Sequence, residues 1–207
     1  MMQESLRILD GAAGLQSLIG RATDLDASAS VRFRQLGDWV DVFVTTPFQV
    51  VASRRIQGEA SRDGAVVSAV ELLDALRAGT STIGPARDPN WPGALPPATG
   101  FQLLDEVPVD VVRDLADKGQ ALARQFSGPL GPPASLLDQT VLTVTGEAGT
   151  AEIPMRTIFT CTSLGLIPGF AAPLDIPRHL RVSQVGRWVR VDAPFGTVYR
   201  SSTLSLF

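Results

Sequence analysis

The sequence contains little of the chemistry that disulfides, metal sites and many active sites need. Among 207 residues there is one cysteine, Cys161, and one histidine, His179. A single cysteine excludes an internal disulfide, and one cysteine with one histidine falls short of the ligand set of a structural zinc site. We therefore predict no disulfide framework, no metal site and no cofactor.

Long apolar runs are also scarce. The first residues include Glu4, Arg7 and Asp10 and lack the apolar segment of a secretory signal. The longest uncharged run, residues 157–174, is interrupted by prolines and glycines, so it indicates a buried helix followed by a loop and not a membrane span. We expect a cytoplasmic protein with no membrane partner.

Basic residues are too few to coat the whole surface for nucleic-acid binding, since the net charge is -3. The charge is unevenly distributed, however. Residues 101–152 carry eight acids against three bases, whereas residues 153–207 carry two acids against six bases. The C-terminal quarter is therefore the candidate for a local anion-binding surface.

Motifs for nucleotide binding and covalent catalysis are missing as well. The sequence has no phosphate-binding loop, no dinucleotide-binding glycine pattern, no metallopeptidase helix and no nucleophile elbow. One catalytic constellation can be drawn, in which Asp192 orients His179 and His179 activates Cys161. The alternative makes Cys161 a small buried hydrophobic residue and His179 a surface residue at a strand end. We favour that alternative, assign no catalytic residue and expect no enzymatic activity.

A stretch rich in proline and glycine, residues 80–100, divides the chain near its middle. It has neither helical nor alternating periodicity, so it is typical of a linker or an ordered surface loop. We predict an N-terminal α+β lobe over residues 1–79 and a C-terminal α+β lobe with a basic hairpin over residues 101–207. Within the stretch, Trp91 either seats the loop on a domain or serves as an exposed anchor for a partner.

Apolar periodicity and capping signals predict the secondary structure. Ser68 followed by Glu71 is a capping box, and Gly79 closes the same helix. Helices are predicted over residues 15–22, 69–78, 109–126 and 155–164. Strands are predicted over residues 30–35, 39–45, 48–56, 139–145, 180–184, 187–191 and 197–200.

The third predicted helix, residues 109–126, is amphipathic. Its apolar side consists of Val111, Val112, Leu115, Leu122 and Phe126. Its opposite side carries Asp110, Asp114 and Asp117. A solvated helix face explains these aspartates better than a cation site does, because acids near a helix N-terminus also favour the helix dipole.

An internal repeat relates the two predicted lobes. The segment RFRQLGDWVDVFVTTPFQVVASR aligns with RVSQVGRWVRVDAPFGTVYRS when two residues are skipped before Pro-Phe, and nine of 21 positions are identical. The identities include Trp39 with Trp188. A looser Gly-Glu-Ala match, residues 58–60 with residues 146–148, precedes a strand and a helix in each half. We infer an internal duplication, and duplicated lobes commonly pack as a pseudo-twofold pair.

Polarity predicts the register of the repeated hairpins. In the first copy, a four-residue loop over residues 35–38 separates an apolar face from a polar face and sets Arg32 opposite Asp41. The same register in the second copy sets Arg181 opposite Arg190. Like charges that face each other across two strands are destabilising by about 0.2–1 kcal/mol. The second hairpin therefore calls for a compensating negative charge, unless solvent alone separates the two arginines.

The compensating charge has two candidate sources. One is a carboxylate of the acidic stretch, for example on the helix that carries Asp110. The other is a bound anion, because two guanidinium groups beside the indole of Trp188 would offer bidentate phosphate contacts and a stacking surface. The candidate site for an anion or a nucleic acid consists of Arg181, Arg187, Trp188, Arg190 and Arg200.

With these segments in view, the chain resembles a family of conserved proteins of unknown activity from high-GC Gram-positive bacteria. The residues that carry the resemblance are SVRFRQLGDWVDVFV, PPASLLDQTVLTV and GRWVRVDAPFGTVYR. The resemblance implies a two-part α+β protein. It supplies no activity, ligand or catalytic residue.

The sequence thus predicts an α+β protein of two related lobes, each an antiparallel sheet with helices packed on one face. We favour a non-enzymatic cytosolic binding or protein-interaction protein, because the repeated residues are structural framework. A binder of nucleic acid or of a phosphorylated ligand, using the basic C-terminal sheet, is the alternative, and a cysteine-dependent enzyme is the remote one. A protein partner is favoured over nucleic acid, and a homo-oligomer stays open. Near the end of the sequence, Leu204, Leu206 and Phe207 form an apolar pattern that suits an edge strand or a partner's groove.

Overall fold

The computed structural model describes residues 3–129 and 131–202. The apolar residues near the end of the sequence, Leu204, Leu206 and Phe207, lie outside the described residues. Among the described helices, none is both long enough and apolar enough to cross a membrane.

The described chain divides into two compact units. The first unit comprises the described residues through Pro47 together with Val51–Leu95. The second unit comprises Phe48–Val50 and the described residues from Pro96 onward. A segment of three residues in the first half of the sequence therefore belongs to the second unit.

The first unit, in its described residues, is an antiparallel sheet of six strands with two helices. The strands are β1 (Gln3–Asp10), β2 (Ser30–Leu36), β3 (Trp39–Thr45), β4 (Val51–Ala60), β5 (Val66–Ser68) and β6 (Thr82–Pro85). The helices are α1 (Ala12–Leu25) and α2 (Ala69–Ala78). The strands lie in the order β5-β2-β3-β4-β1-β6, and every neighbouring pair is antiparallel.

The core of the first unit lies between this sheet and its helices. Phe33 of β2 and Val42 of β3 face each other and are fully buried, and Val31 and Val40 share their face. The helix α1 adds Leu15 to the core. The predicted apolar face and the predicted α+β class with antiparallel sheets are both confirmed.

The register of the first hairpin differs from the predicted one. Arg34, and not Arg32, lies opposite Asp41, so the turn consists of Gly37 and Asp38 alone. Gly37 has a φ of +60°, which glycine adopts without strain at the start of a tight hairpin turn. The four-residue loop was predicted to avoid a branched residue at positive φ, but the glycine itself takes that position. Because the shift is two residues, the apolar face is unchanged.

The polar face of the same hairpin is more buried than a half-exposed sheet would be. Asp41 is 4% exposed and pairs with Arg34 at 3.0 Å and with Arg55 at 2.7 Å. The guanidinium of Arg34 also lies over the ring of Phe43, which is fully buried. One carboxylate thus pairs with two arginines, one of which lies over an aromatic ring, and both faces of β3 are covered.

The helix α2 begins and ends where the capping signals predict. The hydroxyl of Ser68 accepts a hydrogen bond from the backbone N–H of Glu71 at 3.5 Å, and Gly79 at the other end has a φ of +68°. The reciprocal half of the capping box does not form. The carboxylate of Glu71 pairs with Arg87 at 2.7 Å instead.

The proline-rich stretch packs on the first unit. Besides β6 it contains a single 3-10 turn, Asp88–Asn90. The N–H of Arg87 donates to the carbonyl of Val66, and the N–H of Val66 donates to Oδ1 of Asp88, so the stretch covers the outer edge of β5. Trp91 is 8% exposed, which confirms that it seats the stretch on the protein.

Asp88 makes the stability of this edge dependent on pH. A side-chain hydrogen bond from Arg62, with Nη2 to Oδ1 at 2.7 Å, holds the pKa of Asp88 below its ordinary value, and the N–H of Val66 adds to the effect. A depressed pKa means that the folded state favours the carboxylate. Its contribution is therefore present near neutral pH and is lost as the pH falls from about 3.9 through the folded pKa.

We expect Asp88→Asn to lower the free energy of unfolding near pH 7 by less than about 1 kcal/mol, because the carboxylate is half exposed. The difference from the wild type should shrink toward zero as the pH falls through the folded pKa of Asp88. Urea denaturation of both proteins across this pH range measures it. Asp74→Asn is the control, since Asp74 is exposed on α2. A difference that persists at low pH would contradict the assignment.

The second unit contains the remaining described elements. Its strands are β7 (Gln102–Pro108), β8 (Thr140–Gly146), β9 (Gly149–Pro154), β10 (His179–Val185), β11 (Trp188–Ala193) and β12 (Gly196–Ser201). Its helices are α3 (Val109–Phe126), α4 (Ala134–Asp138) and α5 (Met155–Ser163). The strands β12, β11, β10 and β7 form an antiparallel sheet in that order, and β8 and β9 form a separate hairpin.

The repeated glutamine has a comparable contact in each unit. Nε2 of Gln35 donates to the carbonyl of Gly58 at 3.1 Å, and Oε1 of Gln35 accepts from the N–H of Ala60 at 2.9 Å. In the second unit, Nε2 of Gln184 donates to the carbonyl of Ala148 at 2.8 Å. In both units the glutamine of the hairpin thus binds the backbone of the Gly-Glu-Ala segment.

The glycines of the repeated Gly-Glu-Ala segments allow a close approach of two backbones. A Cβ placed on Gly58 would lie 2.2 Å from the carbonyl oxygen of Arg7 in β1. A Cβ placed on Gly146 would lie 2.2 Å from the carbonyl oxygen of Leu104 in β7. Both approached strands have an irregular register. The repeat therefore preserves a steric requirement as well as a hydrogen bond.

Candidate functional site

The second hairpin has the same turn geometry as the first, which changes the arrangement of its charges. Its turn begins at Gly186, so Arg181 lies opposite Asp192, and Arg190 lies opposite a serine. The predicted pairing of Arg181 with Arg190 is wrong for the reason found in the first hairpin. The like-charge pair that called for a compensating anion does not exist.

Carboxylates lie beside Arg181 and Arg190, the two arginines of the site that were predicted to face each other. Nε of Arg190 lies 2.9 Å from a carboxylate oxygen of Asp192, and its guanidinium lies over the ring of Phe101 at 4.6 Å. Nε of Arg181 lies 3.9 Å from a carboxylate oxygen of Glu106. These carboxylates belong to β11 and β7, and not to α3. Asp192 also accepts a hydrogen bond from a threonine hydroxyl, so its oxygens are occupied.

The predicted anion-site residues divide between two faces of the sheet. Arg181, Trp188 and Arg190 share one face, and Arg187 lies in the turn with its guanidinium 6.0 Å from the indole of Trp188. Arg200 pairs with a residue of the apolar face, so its side chain lies on the opposite side of the sheet. The structure thus brings four of the five residues together around one hairpin and separates the fifth.

The side chain of Arg200 is held by contacts within the second unit. Its Nη2 donates to the backbone carbonyl of Glu152 at 3.0 Å. Burial lowers the pKa of Arg200, and the positive charge of Arg156 lowers it further. The guanidinium is therefore held among the elements that pack on the helix side of the second sheet.

The cysteine constellation does not assemble. His179 lies opposite Pro108 and not opposite Asp192, and its Nε2 is 3.5 Å from Glu106. Cys161 is 1% exposed and lines a small apolar cavity of the core. Burial raises the pKa of the Cys161 thiol to about 12. The thiol is therefore protonated at neutral pH, as the buried hydrophobic interpretation requires.

Two of the three aspartates on the polar side of α3 form ion pairs along the helix. Asp110 pairs with Arg113 at 2.9 Å, and Asp114 pairs with Lys118 at 2.7 Å. Pairs at these helical spacings stabilise a helix modestly. Within residues 3–129 and 131–202, no group of three or more histidine, cysteine, aspartate or glutamate residues is placed to hold a metal ion.

The sequence pattern did not reveal an apolar surface at the C-terminal end of α3. Phe126 is 67% exposed and Leu122 is 41% exposed, four residues apart on the helix. Two clefts of about 440 and 400 Å³ flank this helix end. The first cleft is lined by Leu122, Phe126, Pro133, Ser135, Leu136 and Gln139. The second cleft is lined by Phe48, Gln120, Ala123, Arg124, Ser127, Pro132, Phe159 and Ser163. We refer to these residues together as the helix-end surface.

Arg156, at the start of α5, holds in place the segment whose Phe48 lines the second cleft. Its Nη1 donates to the carbonyl of Phe48 at 2.6 Å and to Oε1 of Gln49 at 3.3 Å, and its Nε donates to Asp138 at 3.1 Å. The ring of Phe48 packs against that of Phe159 with centroids 6.2 Å apart. The walls of the second cleft are therefore held by charged hydrogen bonds and by aromatic packing.

The predicted apolar stripe of α3 is only partly the buried one. The residues of α3 that are buried are Val109, Val112, Ala116 and Gly119. At Gly119 the helix α5 approaches so closely that a Cβ would lie 2.6 Å from the Met155 sulfur. Periodicity places Leu122 and Phe126 on the apolar side of the helix. The buried stripe of α3 ends before them, at Gly119.

Solved structures with the same fold are DNA polymerase sliding clamps. The β sliding clamp of Caulobacter crescentus matches with a TM-score of 0.57 and 12% identity, covering 99% of this chain and 66% of that chain. The DNA polymerase III β chain of Streptococcus pneumoniae matches with a TM-score of 0.56 and 9% identity, covering 100% and 66%. A sliding clamp of Pseudomonas aeruginosa matches with a TM-score of 0.56 and 13% identity, covering 100% and 65%.

At these identities the likeness shows a sliding-clamp fold, and the chain spans 66% of the length of the first two clamps. Family models cover nearly all of the sequence. The model described as domain of unknown function DUF8185 matches residues 96–205, and the model described as domain of unknown function DUF8010 matches residues 1–93. The chain therefore belongs to the DUF8185 family. No curated protein matches it.

Proposed function

We propose that this protein is a non-enzymatic cytoplasmic binding protein that acts through contact with another protein. The observation that carries the proposal is the helix-end surface. Phe126 and Leu122 leave large apolar area in water beside two clefts, whose volumes lie in the range of about 300–1,000 Å³ typical of binding pockets. Contiguous exposed apolar surface beside clefts is typical of interaction sites.

The fold supports a binding role of this kind. Solved structures that share it are named as DNA polymerase sliding clamps. The repeated hairpins and Gly-Glu-Ala segments support an origin by duplication, with residues 1–79 and 101–207 as the related lobes. A source among high-GC Gram-positive bacteria, as the sequence resemblance implies, stays a prediction.

A second candidate function is binding of nucleic acid or of a phosphorylated ligand at the basic hairpin. The clamp-like fold and the placement of Arg187 beside Trp188 favour it. The ion pairs of Arg181 with Glu106 and of Arg190 with Asp192 weigh against it, because a ligand phosphate would have to compete with carboxylates already in place. We therefore rank it second.

Peptide display tests the first candidate. A phage library of random dodecapeptides is selected on the immobilised full chain, and each enriched peptide is measured on wild type and on Phe126→Asp. We expect enriched peptides whose binding the substitution abolishes, because a carboxylate at the exposed ring position opposes apolar docking. Leu174→Asp is the control, since Leu174 is 96% exposed in the same unit but lies outside the helix-end surface. If no peptide is enriched, or if Phe126→Asp binds as well as Leu174→Asp, this function fails.

Fluorescent single- and double-stranded oligonucleotides test the second candidate. We expect no salt-sensitive binding between about 50 and 200 mM salt, and no change in Arg181→Ala/Arg190→Ala, because both arginines are neutralised within the protein. Affinity that falls steeply with salt and is lost in the double variant would reverse the ranking of the two functions.

A further inference from the structure

Arg124 is the one charged residue among the residues that line the two clefts of the helix-end surface. No carboxylate of the described chain forms an ion pair or a side-chain hydrogen bond with it, whereas Lys118 on the same helix pairs with Asp114. The described residues around it, 119–129 and 131–137, contain no acidic residue. The helix-end surface therefore presents one uncompensated positive charge beside apolar walls.

The two clefts lie on neighbouring sides of the same helix end. Leu122 and Phe126 line the first cleft, and Ala123 and Ser127 line the second, so each cleft follows one row of residues spaced four apart. In the segment that follows, Pro133 lines the first cleft and Pro132 lines the second. A ligand that fills both clefts must therefore cross the last turn of α3.

The dimensions of a helix set the spacing of such a ligand. A helix with its side chains is about 10–12 Å across, and an extended peptide advances about 3.3–3.6 Å per residue. The two rows lie about 100° apart around the helix and are therefore separated by about 8 Å. Because side chains of an extended segment alternate between two faces, two that enter the two clefts are about two residues apart. The apolar walls select large apolar side chains, and the charge of Arg124 selects an acidic residue near them.

We infer that the helix-end surface binds an acidic peptide segment of a partner protein, with two large apolar side chains about two residues apart in the two clefts and a carboxylate on Arg124. This inference rests on the proposed function and specifies the chemistry of its partner. Charge complementarity identifies the occupant. The surface is apolar with one positive charge, and no carboxylate of the described residues forms an ion pair with Arg124.

The test uses the peptides enriched on the full chain, with Arg124→Glu as the decisive variant. We expect these peptides to contain two large apolar residues about two positions apart and at least one acidic residue. Arg124→Glu should weaken their binding at least about tenfold, because it replaces an attraction with a repulsion. Lys118→Glu is the matched control, since Lys118 is exposed on the same helix but lines neither cleft, and it should leave affinity within about twofold. Circular dichroism and urea midpoints verify that all variants are folded.

The alternatives give different results. Peptides that lose binding in Phe126→Asp but lack acidic residues and ignore Arg124→Glu overturn the acidic-partner inference and leave the proposed function standing. Failure of all peptide binding overturns both. Two other occupants would also overturn the inference. Removal of residues 203–207, which contain Leu204, Leu206 and Phe207, would strengthen peptide binding if that segment filled the clefts. A lower sedimentation coefficient of Phe126→Asp alone would show that a second copy fills them.

Discussion

Replacing Gly58 by alanine should lower the free energy of unfolding by about 2–3 kcal/mol, and Gly146→Ala should have an effect of the same size. The added methyl group would lie 2.2 Å from a backbone carbonyl oxygen in each case, of Arg7 in the first unit and of Leu104 in the second. A flexible side chain could move away from such a contact, but a backbone carbonyl within a sheet cannot move without disturbing the neighbouring strand hydrogen bonds. Urea denaturation of each variant measures the loss.

Gly20→Ala is the matched control for the glycine variants. Gly20 lies in α1, and a Cβ there would be 3.8 Å from the nearest side-chain atom, which is ordinary contact. Alanine in a helix interior is favoured over glycine by about 0.5–1 kcal/mol, so this variant should be more stable than the wild type. If Gly58→Ala and Gly20→Ala shifted stability alike, the steric interpretation of the repeated glycines would be wrong.

The second large effect concerns the reactivity of Cys161. The ordinary pKa of the thiol is 9.0, and burial raises it to about 12. The thiolate fraction in the folded protein is then lower by about three orders of magnitude, and the side chain is also enclosed. We expect labelling by a disulfide reagent at about pH 8 to be at least about 1,000-fold slower in the folded protein than in urea.

A surface cysteine provides the reference for this measurement. In a Cys161→Ala background, Leu174→Cys should react with the reagent as fast as a free thiol, because Leu174 is 96% exposed. Cys161→Ala itself should retain peptide binding at the helix-end surface. Rapid stoichiometric labelling of the folded wild type would contradict the burial of Cys161 and would support the hypothesis of a cysteine-dependent enzyme.

Elements with strong local signals were predictable from the sequence. The helix α2 has a capping serine and a closing glycine, and β2 and β3 alternate clearly. The strand β1 was not predicted because its sequence lacks a clear apolar pattern. Its Glu4 is 1% exposed and is held by Arg62 at 2.8 Å, from a position far along the chain. A buried charge is recognisable only when its partner is known, and that pairing is a property of the tertiary structure.

The candidate site was less predictable than the fold. The arginines of the second hairpin form a basic cluster in the sequence, but the register differs by two residues from the predicted one and places Asp192 beside Arg190. The exposed positions of Leu122 and Phe126 could not be inferred from α3 alone. Periodicity shows which residues share a face of a helix, but which part of that face is covered depends on where α5 packs, at Gly119.

The short segment Phe48–Val50 limits how far the two halves can be regarded as independent modules. It lies between β3 and β4 in the sequence, yet it belongs to the second unit, where Phe48 lines a cleft and its carbonyl binds Arg156. A gene fragment that begins after the proline-rich stretch would encode the second unit without this wall, and Arg156 would keep Asp138 but lose two of its acceptors. The second unit therefore depends on a loop encoded in the first half of the sequence, so recombination cannot exchange that half for another sequence without loss.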